Sequence, residues 1–585
     1  MTLPATRVPL VATSPPTDER TGAQVMCEAL VRENVEVMFG IPGGAIMPFY
    51  HAMWEYRDRI RHVLCRHEQG AGHAAEGYAR STGRTGVCVA TSGPGATNLV
   101  TPIANAWMDS TPLVAITGQV SSAVLGKDAF QETDITGITL PITKHNYRVS
   151  RAEDLPTIFH EAFHIARTGR PGPVLIDVTK DAQQARVVPD WNITLNAPGF
   201  PRASVIDRRA VREAARLLTN ASKPLILAGQ GVIISEAAAE LRAFAERTGI
   251  PVITTLQGIG GFPENHPLSI GMPGMHGWVH VNRAIQECDV LLSIGARFDD
   301  RVTGKASTFA PHARVIHVDI DPSEIGKNVK ATVAIIGDAR LALLALLEET
   351  QPRNANVWLN NIRDAQTTHQ HRQPYLRRPD TTELMPHDVY AALNSALNER
   401  GGYRVITDVG QHQMWAAQLI EWRRPRTHIT SGGAGTMGFA VPAAMGAAIA
   451  HPDETIWAIV GDGGFQMTNQ ELATIRQEGI NNVKIAIVNN GYLGMVRQWQ
   501  QLFEGRRYSG TPLSGPSFAG LAEAYGLRGF TIDRIESAAE TIQAAWNHDG
   551  SAVLDFRVER EANVFPLVPP GHSIGEMITR EEAHA

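Results

Sequence analysis

The sequence is poor in the features that would place it in most other classes of protein. Its 585 residues include only four cysteines (Cys27, Cys65, Cys88, Cys288), none in a Cys-x-x-Cys pair, which argues against a disulfide scaffold and a cysteine-ligated metal module. They fall mostly in apolar strand or helix patterns, so buried reduced thiols and a reducing, cytoplasmic setting are expected. Neither charge sign dominates: 53 Lys and Arg against 59 Asp and Glu give a net charge of −6, which leaves no broad attraction to nucleic acid or an anionic membrane. Long apolar runs are also missing. The longest such stretch, 435–450, is rich in Gly and Ala, contains Pro442 and falls short of the roughly 20 residues a bilayer span requires. A tightly packed buried helix is expected there. The opening stretch, 1–20, is rich in Pro and Thr, lacks an apolar core of signal-peptide length and reads as a flexible tail.

What is present is an α/β alternation too long for one core. Its most informative unit is 461–490. An apolar strand over 455–460 leads into Gly461-Asp462-Gly463. A helix follows, with a capping box expected from Thr468 to Glu471 and an end at Gly479. A second strand over 483–488 delivers Asn489-Asn490. The unit is strand–helix–strand, with polar groups at the strand ends where ligands of parallel sheets bind. Asp462 offers a carboxylate and Asn490 an amide oxygen, hard ligands suited to magnesium, and the flanking glycines admit a phosphate. Taken singly, the two pieces read more readily as a Gly-Asp-Gly turn and an Asn-Asn loop.

The rest of the chain divides around this unit. Residues 21–185 repeat the alternation, with a capping box from Thr21 to Gln24 and strands over 35–39, 62–65, 86–91, 112–117 and 173–178; Glu68 sits at a strand's carboxyl end. Residues 186–205 hold three prolines and read as a linker. Over 206–350, strands at 224–228, 251–255, 290–294 and 315–319 predict a second parallel sheet. Its Gly229-Gln230-Gly231 is weak evidence for a dinucleotide, because Ile234 replaces the third glycine. The polar stretch 354–380 reads as a linking arm, and the last domain spans 381–570 with a strand over 403–408. The fold class is therefore α/β, with three doubly wound parallel-sheet domains.

The 25 residues (464–488) between Gly463 and Asn489 give a spacing that resembles the GDG…NN motif of thiamine-diphosphate enzymes. By that resemblance Asp462, Asn490 and the main-chain carbonyl of Tyr492 hold Mg2+. RHEQGAGHAAEGYAR (66–80) is similar to the segment whose glutamate, here Glu68, bonds the cofactor's pyrimidine. GMHG (274–277) and GARFDDRVTG (295–304) resemble the flavin-binding stretches of the biosynthetic acetohydroxyacid synthases; from composition alone the second reads equally as a solvated loop. GMVRQWQ (494–500) resembles that family's active-site entrance, although a Met and a Trp at helical spacing also suit a core. The resemblance runs from about 21 to 570.

What it implies is decarboxylation of pyruvate and condensation of the two-carbon unit with pyruvate or 2-ketobutyrate. The implied cofactors are thiamine diphosphate, Mg2+ and FAD. Glu68, Gln131 and Lys180 are the implied catalytic residues, with Gly44, Phe130, Arg301 and Trp499 at the substrate. Gly410, Gln411, His412, Gly435, Met437, Gly461, Gly463 and Met495 would bind the thiamine cofactor. Arg170, Gly229, Thr254, Met275, His276, Gly295, Arg297, Asp319 and Asp338 would bind the flavin. A homodimer or tetramer and a small regulatory subunit are the implied partners. Glu68 argues against glyoxylate carboligase, and RFDDRVTG against the flavin-free catabolic synthase. A non-catalytic scaffold that keeps the fold would not need Glu68, Asp462 and Asn490 together.

Overall fold

Apolar segments bounded by glycine-rich turns form three six-stranded sheets, parallel throughout, in a computed structural model that describes residues 18–195, 197, 199–200, 205–353, 355–372 and 383–579. Residues 1–17 of the expected tail, part of the linker 186–205, and residues 354 and 373–380 of the expected arm lie outside the described residues. The first sheet contains β1 (Val37–Gly40), β2 (Arg61–Leu64), β3 (Gly86–Ala90), β4 (Leu113–Gln119), β5 (His145–Val149) and β6 (Pro173–Thr179), in the order β2-β1-β3-β4-β6-β5. The second contains β7 (Pro224–Ala228), β8 (Val252–Thr254), β9 (Ser269–Gly271), β10 (Val290–Ile294), β11 (Arg314–Asp319) and β12 (Val333–Ile336), ordered β9-β8-β7-β10-β11-β12. The third contains β13 (Tyr403–Thr407), β14 (His428–Thr430), β15 (Thr455–Gly461), β16 (Val483–Asn489), β17 (Arg528–Ile532) and β18 (Ala552–Arg557), ordered β14-β13-β15-β16-β18-β17. The first and third sheets thus share one topology. The middle sheet has the strand order of dinucleotide-binding folds.

Interior strands such as β3, β4 and β6 are buried along their whole length, as a sheet covered by helices on both faces requires. Among the described residues no helix is long and apolar enough to cross a membrane. Six helices position the site: α1 (Glu68–Thr82), α2 (Gln411–Leu419), α3 (Ala440–Ala450), α4 (Asp462–Thr468), α5 (Glu471–Gln477) and α6 (Gly494–Phe503). The expected buried helix within 435–450 is α3, which crosses α1 with backbone nearly touching backbone. A Cβ at Gly77 would overlap the Ala443 carbonyl, and one at Gly446 would overlap that of Ala74. One apolar cluster therefore runs from Phe39 and Val63 through Ala74 and Ala443 to Ile456 and Ile485.

Two expectations are corrected. The capping box from Thr468 to Glu471 does not form: the helix begins at Asp462 itself and breaks between α4 and α5. Thr468 donates its hydroxyl to the Gly438 carbonyl, and Glu471 faces the first domain instead. The arm 354–380 contains a helix, Asn356–Arg372, which buries Trp358 and Ile362 against the middle domain. Its polar composition masked a short apolar stripe. The capping box at Thr21 and Gln24 is present as expected.

Candidate active site

In doubly wound sheets, ligands collect where the strand order reverses. In the third sheet this point lies between β13 and β15, whose carboxyl ends deliver Gly410-Gln411-His412 and Gly461-Asp462-Gly463. The two turns interlock through one ring. His412 fills the space that a Cβ would take at both Gly410 (2.8 Å) and Gly461 (3.0 Å), so neither position accepts a larger residue. Burial pushes its imidazole down to about 3, leaving it neutral, and Nε2 has no partner among the described residues. Gln411 and His412 open α2, whose first-turn amides favour an anion.

Asp462 is 2% exposed, and burial raises its carboxyl to about 6, with Asp555 adding repulsion and nearby main-chain amides opposing it. A pocket of about 270 Å³ beside it is lined by Asp462, Gln466, Asn489, Asp555 and Arg557 among others. Asn490 is buried and oriented: its Nδ2 donates to Gln411 Oε1 (3.1 Å), while Oδ1 accepts from the Tyr492 amide (3.1 Å). Among the described residues no three His, Cys, Asp or Glu side chains converge as a metal centre. A cation here would rest on a carboxylate, an amide oxygen and a carbonyl, a hard oxygen set that fits magnesium.

The loop ahead of α3 closes over the same place. Gly435 adopts φ +68°, and the Gly438 and Ala440 amides donate to the buried carboxylate of Asp408 (2.9 and 3.0 Å). Asp408 was not singled out from the sequence; its signal is its place at the end of β13, directly before Val409-Gly410. Met437 Cε lies 3.5 Å from the Cβ position of Gly463, beside Leu493 and Leu513. On α6, Met495 and Trp499 share a face, and Trp499 is half-buried, edge-on to Phe503 at 5.5 Å.

The first sheet reverses between β1 and β3, which end in Ile41-Pro42-Gly43-Gly44 and Thr91-Ser92-Gly93. Among the described residues, its chain neighbours aside, no atom lies within 4 Å of a Cβ position at Gly44, so the turn borders open space. Glu68 lies just beyond the carboxyl end of β2, as expected. It is the first residue of α1, capped by His67, and the amides of Arg66 and His67 donate to Glu471 of α5 (3.0 and 3.1 Å). Glu68 Oε2 accepts from Asn98 Nδ2 at 2.9 Å. Gln131 has φ +60° and its Cα lies 3.0 Å from the Cβ position of Gly93; a non-glycine residue in this region signals local strain. Phe130 is 88% exposed. Lys180 opens a short helix directly after β6.

The middle sheet reverses between β7 and β10, where Gly229 and Gly295 meet: a Cβ on Gly229 would overlap the Gly295 carbonyl. Thr254 ends β8, and Asp319 ends β11 with its carboxyl raised by burial to about 6. The Met275 amide donates to the Arg301 carbonyl (2.8 Å). Burial lowers His276 to about 4, and its Nδ1 pairs with the Pro566 carbonyl at 3.1 Å. Arg297 approaches Asp299 at 3.8 Å. Arg170 crosses from the first domain to donate to Glu324 (2.8 Å). Asp338 caps the helix Ala339–Glu349 through the Arg340 and Leu341 amides.

Three family models match the chain: thiamine pyrophosphate enzyme N-terminal TPP binding domain over 20–138, central domain over 211–346 and C-terminal TPP binding domain over 408–556. The acetolactate synthase large subunit of Corynebacterium glutamicum is 50% identical over 567 residues, 95% of this chain and 90% of that protein. The acetolactate synthase isozyme 2 large subunit of Escherichia coli is 47% identical, covering 96% and 99%. A probable acetolactate synthase large subunit of Methanocaldococcus jannaschii is 45% identical, covering 95% of each.

Proposed function

Because the chain belongs to the thiamine pyrophosphate enzymes, and within them to the family of acetolactate synthase large subunits, we propose that it is a catalytic subunit that makes 2-acetolactate from two pyruvates. With 2-ketobutyrate as acceptor it makes 2-aceto-2-hydroxybutyrate, and both products feed branched-chain amino acid synthesis. The observation that carries this reading is the meeting of Gly410-Gln411-His412 with Gly461-Asp462-Gly463 at the reversal of the third sheet, in a chain that holds Glu68 near the reversal of the first.

Bound thiamine diphosphate supplies the nucleophilic carbon and the electron sink. Asp462, Asn490 and the Tyr492 carbonyl hold Mg2+, while Gly410, Gln411, His412, Gly435, Met437, Gly461, Gly463 and Met495 enclose the cofactor. Asn98 fixes one oxygen of Glu68, which frees Oε1 to hold a proton for the pyrimidine. Gln131 and Lys180 act at the substrate, bordered by Gly44, Phe130, Arg301 and Trp499. FAD would be held at the middle sheet by Gly229, Thr254, Met275, His276, Gly295, Arg297, Asp319 and Asp338, with Arg170 contributing from the first domain. The dinucleotide-type strand order and the Gly229–Gly295 contact support that placement.

The domains are 21–185, 206–350 and 381–570. The active unit is a homodimer or tetramer; the exposure of Phe130 suits a side chain that a second copy covers. A small regulatory subunit is the further partner, and its addition raises activity. Four buried free cysteines suit a reducing cytoplasm. Incubation with pyruvate alone tests the reading: 2-acetolactate is the expected product, and acetaldehyde or acetate in its place would overturn it.

A further inference from the structure

Asn490 has two faces that differ in chemistry, and a 180° flip of its amide would present Nδ2 where a cation needs Oδ1. Nothing in Asn490 itself prevents the flip. The amide is held from both sides: Oδ1 accepts the Tyr492 main-chain N–H (3.1 Å), and Nδ2 donates to Gln411 Oε1 at 3.1 Å, a bond that Gln411 accepts only if its own amide is oriented with nitrogen away from Asn490. Gln411 is oriented in turn, because its Nε2 donates both to Gln498 Oε1 (2.8 Å) and to the Ala562 carbonyl (2.9 Å).

The series ends on backbone, which cannot flip. Gln498 pairs with one residue through both ends of its amide: Nε2 donates to the Val564 carbonyl and Oε1 accepts the Val564 amide, each at 2.9 Å. All three side chains are buried, at 3% exposure for Gln411, 0% for Gln498 and 6% for Asn490. Water is thus poorly placed to replace a lost bond, and Gln411 takes its orientation from Gln498 and the Ala562 carbonyl together. Arg497 steadies the far end by donating to the Ala562 carbonyl (2.7 Å) and to Asn563 (2.9 Å).

We propose that Gln498 is a positioning residue for magnesium, fixing through Gln411 which face Asn490 turns to the ion. The inference rests on the metal role given to Asn490 above. It assigns Gln498 no contact with substrate or cofactor, although it lies between Arg497 and Trp499 on the helix that resembles the active-site entrance. Outer partners that orient metal ligands commonly change metal affinity by about 10- to 100-fold.

The test is Gln498→Met, which keeps the volume and unbranched shape but removes both polar ends. Mg2+ affinity is measured by calorimetry on the full-length, FAD-bound protein with saturating thiamine diphosphate. Gln498→Met should raise the Mg2+ Kd about tenfold, with kcat at saturating Mg2+ within about twofold of wild type. Gln498→Glu, which in its protonated form keeps an oxygen for Gln411 and the Val564 amide and an O–H for the Val564 carbonyl, should recover most of the affinity, and Gln498→Leu, expected to raise the Kd as the Met variant does, serves if that variant fails to fold. In an Asn490→Ala background Gln498→Met should add nothing, since its effect passes through Asn490. An unchanged Kd in folded Gln498→Met, equal losses in the Met and Glu variants, or a full Gln498→Met effect without Asn490 would each overturn the proposal. If Asn490→Ala itself left the Mg2+ Kd unchanged, the metal assignment of Asn490 would fail instead.

Discussion

Asn98 donates through Nδ2 to Glu68 Oε2 at 2.9 Å, and Glu68 Oε1 lies 3.3 Å from the Cβ position of Gly95. The carboxyl is therefore tethered at one oxygen and presented at the other. Glu68→Gln should lower turnover by about 10²- to 10⁴-fold, because an amide supplies no carboxyl proton, with circular dichroism and cofactor binding retained. Asn98→Ala should cost about tenfold, since the carboxyl stays and only its tether goes. Near-normal acetolactate formation by Glu68→Gln would remove Glu68 from catalysis.

The buried Asp462 makes metal binding sensitive to mild acid. Its carboxyl titrates at about 6, raised first by burial and then by Asp555, and only the ionised form binds Mg2+ well. Mg2+ affinity should fall as pH drops through 6. The metal-free fold behaves oppositely: a carboxyl with a raised native value contributes stability that is present at pH 4 and lost as pH rises through 6. Asp462→Asn should flatten both dependences, which Mg2+ titrations from pH 5 to 8 and thermal melts of the metal-free protein from pH 4 to 8 would detect.

If Glu68 of one chain serves the cofactor held by Asp462 of another, two inactive variants should complement. Mixed Glu68→Gln and Asp462→Ala chains would regain part of wild-type activity, about a quarter of it if subunits pair at random and sites act independently. Subunit exchange is verified by mass spectrometry of tagged chains. Exchange without recovery would mean that each site is built within one chain.

Trp499 supplies the broadest apolar face on α6, one helical turn from Met495. Pyruvate and 2-ketobutyrate differ by one methylene, which an apolar pocket separates by about 1–3 kcal/mol. Trp499→Leu should keep acetolactate synthesis but reduce preference for 2-ketobutyrate about tenfold, equivalent to about 1.4 kcal/mol. Competition between the two keto acids, read as the product ratio, decides it. An unchanged ratio would leave Trp499 as packing for Phe503.

The interior strands other than β18 were legible because they are continuous apolar runs between glycine turns. β5, β9, β12, β14 and β17 were not, and all five are sheet edges, where one side meets solvent or a helix and the apolar signal shortens or turns polar, as in His145–Val149. Asp462 and Asn490 could be read from spacing. Asp408, Glu471 and Gln498 could not, because each acts through a partner far away in sequence: Gly438, Arg66 and Val564. Polar residues buried for such pairings carry no local pattern. Thr468 and Glu471 even mimic a helix start, yet both are drawn off by tertiary contacts.

The close crossing of α1 and α3 merges one apolar face of the first domain and one of the third into a single cluster, whereas the two clusters of the middle domain take in from outside 206–350, among the described residues, only Trp358, Leu359 and Ile362 of the arm helix and Ile574. Heat should register that difference. The outer two domains each keep a cluster of their own, but the one they share should couple them into a single cooperative transition, while the middle domain, which meets the third through Ile259 and Met272, should melt in a transition of its own. Gly446→Ala, which forces a methyl into the Ala74 carbonyl, should lower that shared transition by several degrees and leave the other in place, as differential scanning calorimetry would record. Evolution at either helix is then constrained by the other: a change of side-chain size is felt in a domain more than 350 positions away along the chain.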